Sequence, residues 1–145
     1  MSSKAKNTIF LILVLVVFTV GSWAMGGTGV TPDFGDDALT LGGPQKFSFT
    51  VTYDQIEALE LVELADPGTM RSGGENRSYY WGSWENEAWG AYTLCAYKKF
   101  DTAILLTARN GEHLVFNYQD SDTTASMLQM FQELLAHRTE TEQAP

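Results

Sequence analysis

Basic residues are scarce in this chain, with nine Lys/Arg against eighteen Asp/Glu and a formal net charge of -9. Two of the nine, Lys4 and Lys6, stand near the start, so from Thr31 onward seven face all eighteen acids. The only adjacent basic pair is Lys98-Lys99. Nucleic acid and anionic lipid headgroups both need clustered Lys/Arg, so this balance argues against either as a partner. Cysteine is scarcer still. Cys95 is alone, which excludes an intramolecular disulfide, a cysteine-rich metal site and an acylated cysteine near the start, and leaves a buried thiol as its plain role. The two histidines, His113 and His137, lie 24 residues apart with no Cys or His beside them. Zinc wants three or four ligands, so no metal and no cofactor is expected.

What is present begins with an address. Lys4 and Lys6 precede Ile9 to Val20, IFLILVLVVFTV, apolar except for Thr19, and no charge appears from Thr8 until Asp33. Residues 1–30 are therefore a membrane-directed segment, with two readings open. An uncleaved anchor from Thr8 to about Val30 would span ~30 Å of hydrocarbon with Trp23 at headgroup level. A signal peptide would be cut at the small-x-small site Ser22-Trp23-Ala24, near Ala24, and the protein secreted. In both cases the positive charges keep Lys4 and Lys6 cytoplasmic and put everything after Thr31 outside. A single-pass protein of the cell membrane is the expectation.

Residues 31–37, TPDFGDD, read as a linker with turn residues. The folded domain is expected at 38–138. Ala38 to Leu41 is a short strand closed by Gly42-Gly43-Pro44, and Phe47 to Val51 alternates Phe47/Phe49/Val51 against Ser48/Thr50 at a period of two. Tyr53-Asp54-Gln55 bends into Ile56 to Leu64, read as a strand. Thr69 to Arg77, TMRSGGENR, is polar and glycine-containing and reads as a mobile surface loop. Further strands follow over Ala91 to Tyr97, Ala103 to Ala108 and His113 to Tyr118. The last two flank Arg109-Asn110-Gly111-Glu112, where Asn-Gly predicts a hairpin through a type I′ turn. From Asp122 the period changes. Leu128, Phe131, Leu134 and Leu135 recur at three and four, with Thr124, Met127 and Arg138 on or beside the stripe, which predicts an amphipathic helix from Asp122 to about His137 capped by Asp120 or Ser121. The tail at 139–145 is too polar to fold and is expected to be disordered. About seven strands and one C-terminal helix, without βαβ alternation, predict a mainly β fold with an antiparallel sheet.

These elements in about 100 residues, with GSWENEAWGAYTLCAY leading into TAILLTARNGEHLVFNYQD, resemble the pleckstrin-homology (PH)-like domains of small membrane-anchored bacterial proteins. Gly82, Trp84, Glu85 to Glu87 and Gly90 carry the likeness, and VTYDQIEALELVE is similar to that family's bend after its second strand. The resemblance implies an antiparallel barrel capped by the helix, on a membrane anchor, with no catalytic site. Lipid-binding PH domains carry a basic cluster between strands 1 and 2. Here Lys46 stands alone in that region, which argues against phosphoinositide binding.

Chemistry is harder to find. Ser83 in Gly82-Ser83-Trp84 lacks the second glycine of a nucleophile elbow. Asp120-Ser121-Asp122-Thr123-Thr124 begins like a calcium loop, but Ala125 replaces its glycine and Phe131 its bidentate acid. No enzyme is read from this sequence. What remains is the aromatic stretch SYYWGSWENEAWGAY, Ser78 to Tyr92. Trp84, Trp89 and Tyr92 read as core packing. Tyr79, Tyr80 and Trp81, beside the loop carrying Arg71 and Arg77, read as an exposed platform for a protein or peptide partner. A second reading is a secreted carbohydrate-binding or carbohydrate-active protein using Tyr79 to Trp89 with Glu85 and Glu87.

Overall fold

The structure is a computed structural model that describes residues 29–143, so residues 1–28, with the membrane-directed run and the Ser22-Trp23-Ala24 site, lie outside it, as do 144–145. Among the described residues no helix is long and apolar enough to cross a membrane. Nine strands are seen among these residues: β1 (Thr31–Phe34), β2 (Ala38–Gly42), β3 (Ser48–Thr52), β4 (Ile56–Glu63), β5 (Thr69–Glu75), β6 (Tyr79–Asn86), β7 (Gly90–Tyr97), β8 (Thr102–Ala108) and β9 (His113–Phe116). One helix, α1 (Ser121–Gln143), closes the chain. The fold is mainly β with a C-terminal helix.

The expected closed barrel is not formed. The strands make two open sheets, a three-stranded one in the order β1-β2-β3 and a six-stranded one in the order β4-β8-β9-β7-β6-β5. The larger sheet is mixed, because β7 and β9 run parallel. The link at 98–101 carries the chain past the position that β9 later fills between β7 and β8. Alternation along single strands cannot reveal such a crossing.

Two segments expected to be irregular are strands. Thr31–Phe34, read as linker, pairs with β2 and sends Phe34 into the core. Thr69–Glu75, read as a mobile loop, pairs along β6. Six of its seven residues are exposed, so it has no buried face to produce an apolar period. The Asn110-Gly111 hairpin is present, but Asn110 is not among the positive-φ residues and only Gly111 takes φ 90°. The Gly111 N–H donates to Ala108 O at 2.9 Å and the Ala108 N–H to Glu112 O at 2.9 Å. This is a three-residue loop with a left-handed glycine closing a bulge, and not a type I′ turn.

The middle of the large sheet is buried on both faces, which is why β7, β8 and β9 read as nearly continuous apolar runs. One face gives Cys95, Ile104, Leu106, Leu114 and Phe116 to a first core shared with Leu39, Leu41 and Val51 of the small sheet and Met127 and Phe131 of α1. The other gives Leu94, Ala96, Ala103, Leu105 and Val115 to a second core with Leu64, Trp84 and Tyr92. The link from Glu63 to Thr69 joins the two outermost strands. Its six Cα steps reach at most about 21 Å, whereas a flat sheet would set those strands about 24 Å apart. The sheet therefore curls. The link is held over the second core where Tyr92 Oη donates to Pro67 O at 2.6 Å and Asn86 Nδ2 to Asp66 O at 3.3 Å.

The α1 stripe matches the expected positions, with Thr124, Met127, Leu128 and Phe131 buried, joined by Met130. Asp120 caps it, accepting the Thr123 N–H at 2.7 Å. That hydrogen bond, more than any other influence, holds the Asp120 carboxyl below its ordinary range. The helix outruns its expected end at His137 and takes in Thr139 to Gln143, because each added residue of a formed helix brings its own backbone hydrogen bond. Arg138 is consequently not at a helix end. It reaches across to donate to Asp36 O at 2.6 Å and lies 5.0 Å from the Tyr53 ring centroid.

Candidate functional site

The five residues singled out as a partner platform do not share one surface. Alternation along β6 sends Tyr79 and Trp81 to one face and Tyr80 to the other. Trp81 is only 6% exposed, covered where β5 brings Gly74 against its ring. Tyr79 is half-buried, edge-on to Tyr97 at 5.0 Å. Tyr80 meets Trp84 at 5.2 Å and carries Lys98 Nζ over its ring at 4.6 Å, while the same ammonium pairs with Glu75 at 2.6 Å. Arg71 is exposed and paired with Glu85, and Arg77 is exposed between β5 and β6. Trp84 and Tyr92 are core as expected, and Trp89 is half-buried against them, edge-on to Tyr92 at 5.2 Å. Glu85 is held by Arg71, and exposed Glu87 sits in the β6–β7 turn.

Other reactive groups are built into the fold. Burial pushes the Cys95 thiol up to about 12, so a thiolate is not available at neutral pH. It packs against Gly43, with Sγ 3.8 Å from Gly42 O. Burial likewise raises the Tyr97 phenol to about 12, aided by Tyr79, and the Tyr53 phenol to about 12 against the opposing pull of Arg138. Among the described residues no group of three or more His, Cys, Asp or Glu side chains is placed to hold a metal ion.

The feature that sequence reasoning missed is a set of sheet edges. Two open sheets have four outer strands, β1, β3, β4 and β5, each a row of backbone groups onto which another strand could add. Three of them are blunted. β1 contains Pro32, which lacks an N–H. β4 shifts register between Ile56 and Ala58 and carries Glu57, Glu60 and Glu63. β5 shifts register between Met70 and Ser72, leaving Arg71 as the extra residue. Bulges and charges of this kind discourage strand addition. β3 has none of them: it pairs with β2 in unbroken register from Ser48 to Thr52 and contains no charged residue and no proline.

The ladder shows which β3 groups face outward. The Gly43 N–H donates to Phe47 O and the Tyr53 N–H to Asp37 O, each at 2.9 Å. Hydrogen-bonded pairs alternate along an antiparallel ladder, so Leu41–Phe49 and Leu39–Val51 are bonded pairs between them. The N–H and C=O groups of Ser48, Thr50 and Thr52 consequently point away from β2, to the side on which no described strand pairs.

Beneath that edge lies a cleft of about 220 Å³ between β3 and the β8–β9 hairpin. Phe49, Val51, Leu106 and Leu114 line its floor and Thr50, Thr52, Gln55 and Glu112 its rim. It is the open end of the first core, where the small sheet stops short of covering the large one. Its far wall is fixed, because Arg109 donates from Nε to Asp54 O at 2.7 Å and from its backbone to Gln55 O at 2.8 Å. His113 borders the cleft, but its imidazole lies within 3.2 Å of Thr107 Oγ1 on the opposite face of the hairpin, so it is not aimed inward. At this size the cleft takes a side chain or two, below the ~300 Å³ at which whole-ligand sites begin. The partial exposure of Phe49 marks a strand whose apolar face is incompletely covered, which the alternation of FSFTV alone does not reveal.

Compared with protein families, with curated proteins and with solved structures, the chain matches none.

Proposed function

We propose that this chain is a non-catalytic binding module, tethered at the cell membrane by its N-terminal segment with the residues after Thr31 outside, and that it docks a protein partner by adding a strand to the free edge of β3. The observation that carries the reading is the contrast among the edges: β3 alone, of the four described, has an unbroken, uncharged, proline-free ladder. In strand addition the main chain supplies affinity and alternate side chains enter pockets for specificity. Ser48, Thr50 and Thr52 would give the hydrogen bonds, and the cleft over Leu106 and Leu114 would take apolar side chains of the added strand. The net charge of -9 disfavours a strongly acidic segment as that strand.

Site-specific photocrosslinking in cells tests this. A photoreactive residue at Thr52 is expected to give a discrete adduct in the full chain, whereas the same probe at Glu60 on β4 or Arg71 on β5 gives none. Adducts from Arg71 or Glu60 with nothing from Thr52 would move the docking surface elsewhere.

A further inference from the structure

We infer that the strand added to β3 is β3 of a second copy of this chain, making a two-fold dimer in which the two small sheets join into one. This rests on the β3 docking reading and names its partner. The outward groups of β3 belong to Ser48, Thr50 and Thr52, so an antiparallel pairing centred on Thr50 matches them all. Thr50 faces Thr50 of the second copy, Ser48 faces its Thr52, and Thr52 faces its Ser48, each pair exchanging two backbone hydrogen bonds.

Side chains agree with that register. In it Phe49 lies opposite Val51 of the second copy, in the pair type that brings side chains closest, so apolar meets apolar on the inner face. Ser48, Thr50 and Thr52 meet only hydroxyls on the outer face, which is already exposed. Lys46 and Asp54, both exposed, lie in the turns just before and just after β3, so a two-fold antiparallel seam places the turn carrying Lys46 near the turn carrying Asp54 of the second copy, opposite charges at each end. The partly exposed Phe47 and Phe49 and the apolar floor of the cleft are what such a seam would cover. The other edges lack this self-complementarity: two copies of β4 would bring Glu57, Glu60 and Glu63 against one another. A shared membrane would raise the local concentration of copies and favour even a weak seam.

The test uses the full chain in detergent micelles. Sedimentation of the wild type is expected to give twice the chain mass, dissociating on dilution. Thr50→Pro removes an N–H that points to the free side while leaving the β2–β3 hydrogen bonds in place, and is expected to raise the dissociation constant about 100-fold, from one lost hydrogen bond per copy. Thr50→Cys supplies a second variant. Its Cα atoms would stand ~5.5 Å apart across the seam, so a short bis-maleimide should link the dimer through the introduced thiols, while buried Cys95 stays unmodified. Glu60→Cys should not crosslink. A wild type that remains monomeric at high concentration, or a dimer whose mass and crosslinking ignore Thr50→Pro, overturns the inference. A monomer that still gives a Thr52 photo-adduct of another mass in cells overturns the self-pairing and leaves the β3 docking reading in place; loss of both removes both.

Discussion

Gly82→Val is expected to cost more than about 4 kcal/mol and to leave β5 unpaired. Gly82 faces Gly73 across the β5–β6 ladder, and both take left-handed backbone, φ 104° and 97°. A Cβ on Gly82 would collide with Ser72 O and stand 2.6 Å from the Gly73 Cα. Those neighbours are backbone, so no side-chain rotation relieves the contact. β-branched residues also tolerate positive φ poorly. Gly90→Ala separates the two causes. Gly90 has φ 69° but nothing within 4 Å of its missing Cβ, so only backbone strain applies, on the order of 1 kcal/mol. Urea denaturation of both variants checks this, and equal costs would mean that the close Gly73–Gly82 approach does not exist.

Phe131→Ala is expected to cost about 3–5 kcal/mol, lowering the melting temperature by on the order of 15 °C. Phe131 is fully buried, edge-on to Phe34 at 5.0 Å and to Tyr53 at 6.1 Å. It therefore ties α1 to β1 and to the turn before β4. Truncation removes a fully buried ring and leaves a cavity among the side chains of the first core. The exposed neighbour Gln132→Ala should stay within about 0.5 kcal/mol. Thermal unfolding of the pair checks the assignment of α1 to the first core.

How far the sequence reaches follows from burial. β3, β4, β7, β8, β9 and α1 announced themselves because each has an apolar face or an apolar run, and the core aromatics Trp84 and Tyr92 followed from the same pattern. β5 was invisible for the opposite reason: it is held by hydrogen bonds to β6 and by two facing glycines, neither of which leaves a period. β1 was too short, and its Thr31-Pro32-Asp33 start reads as a turn. The split of Tyr79, Tyr80 and Trp81 between two faces was legible once they were placed on a strand, but the burial of Trp81 depended on the unseen β5. The docking edge was not legible at all, since which strands lie outermost depends on the order β4-β8-β9-β7-β6-β5 and on the parallel β7–β9 pair.

Residue-resolved amide hydrogen exchange of the full chain in its membrane, at native density and after dilution into excess lipid, tests the β3 edge most directly. Outward N–H groups exchange fast when free and slowly when bonded to an added strand. The account predicts that Ser48, Thr50 and Thr52 are protected at native density and lose protection on dilution, while Phe49 and Val51, bonded to β2, stay protected in both. Fast exchange at Ser48, Thr50 and Thr52 under both conditions would contradict it.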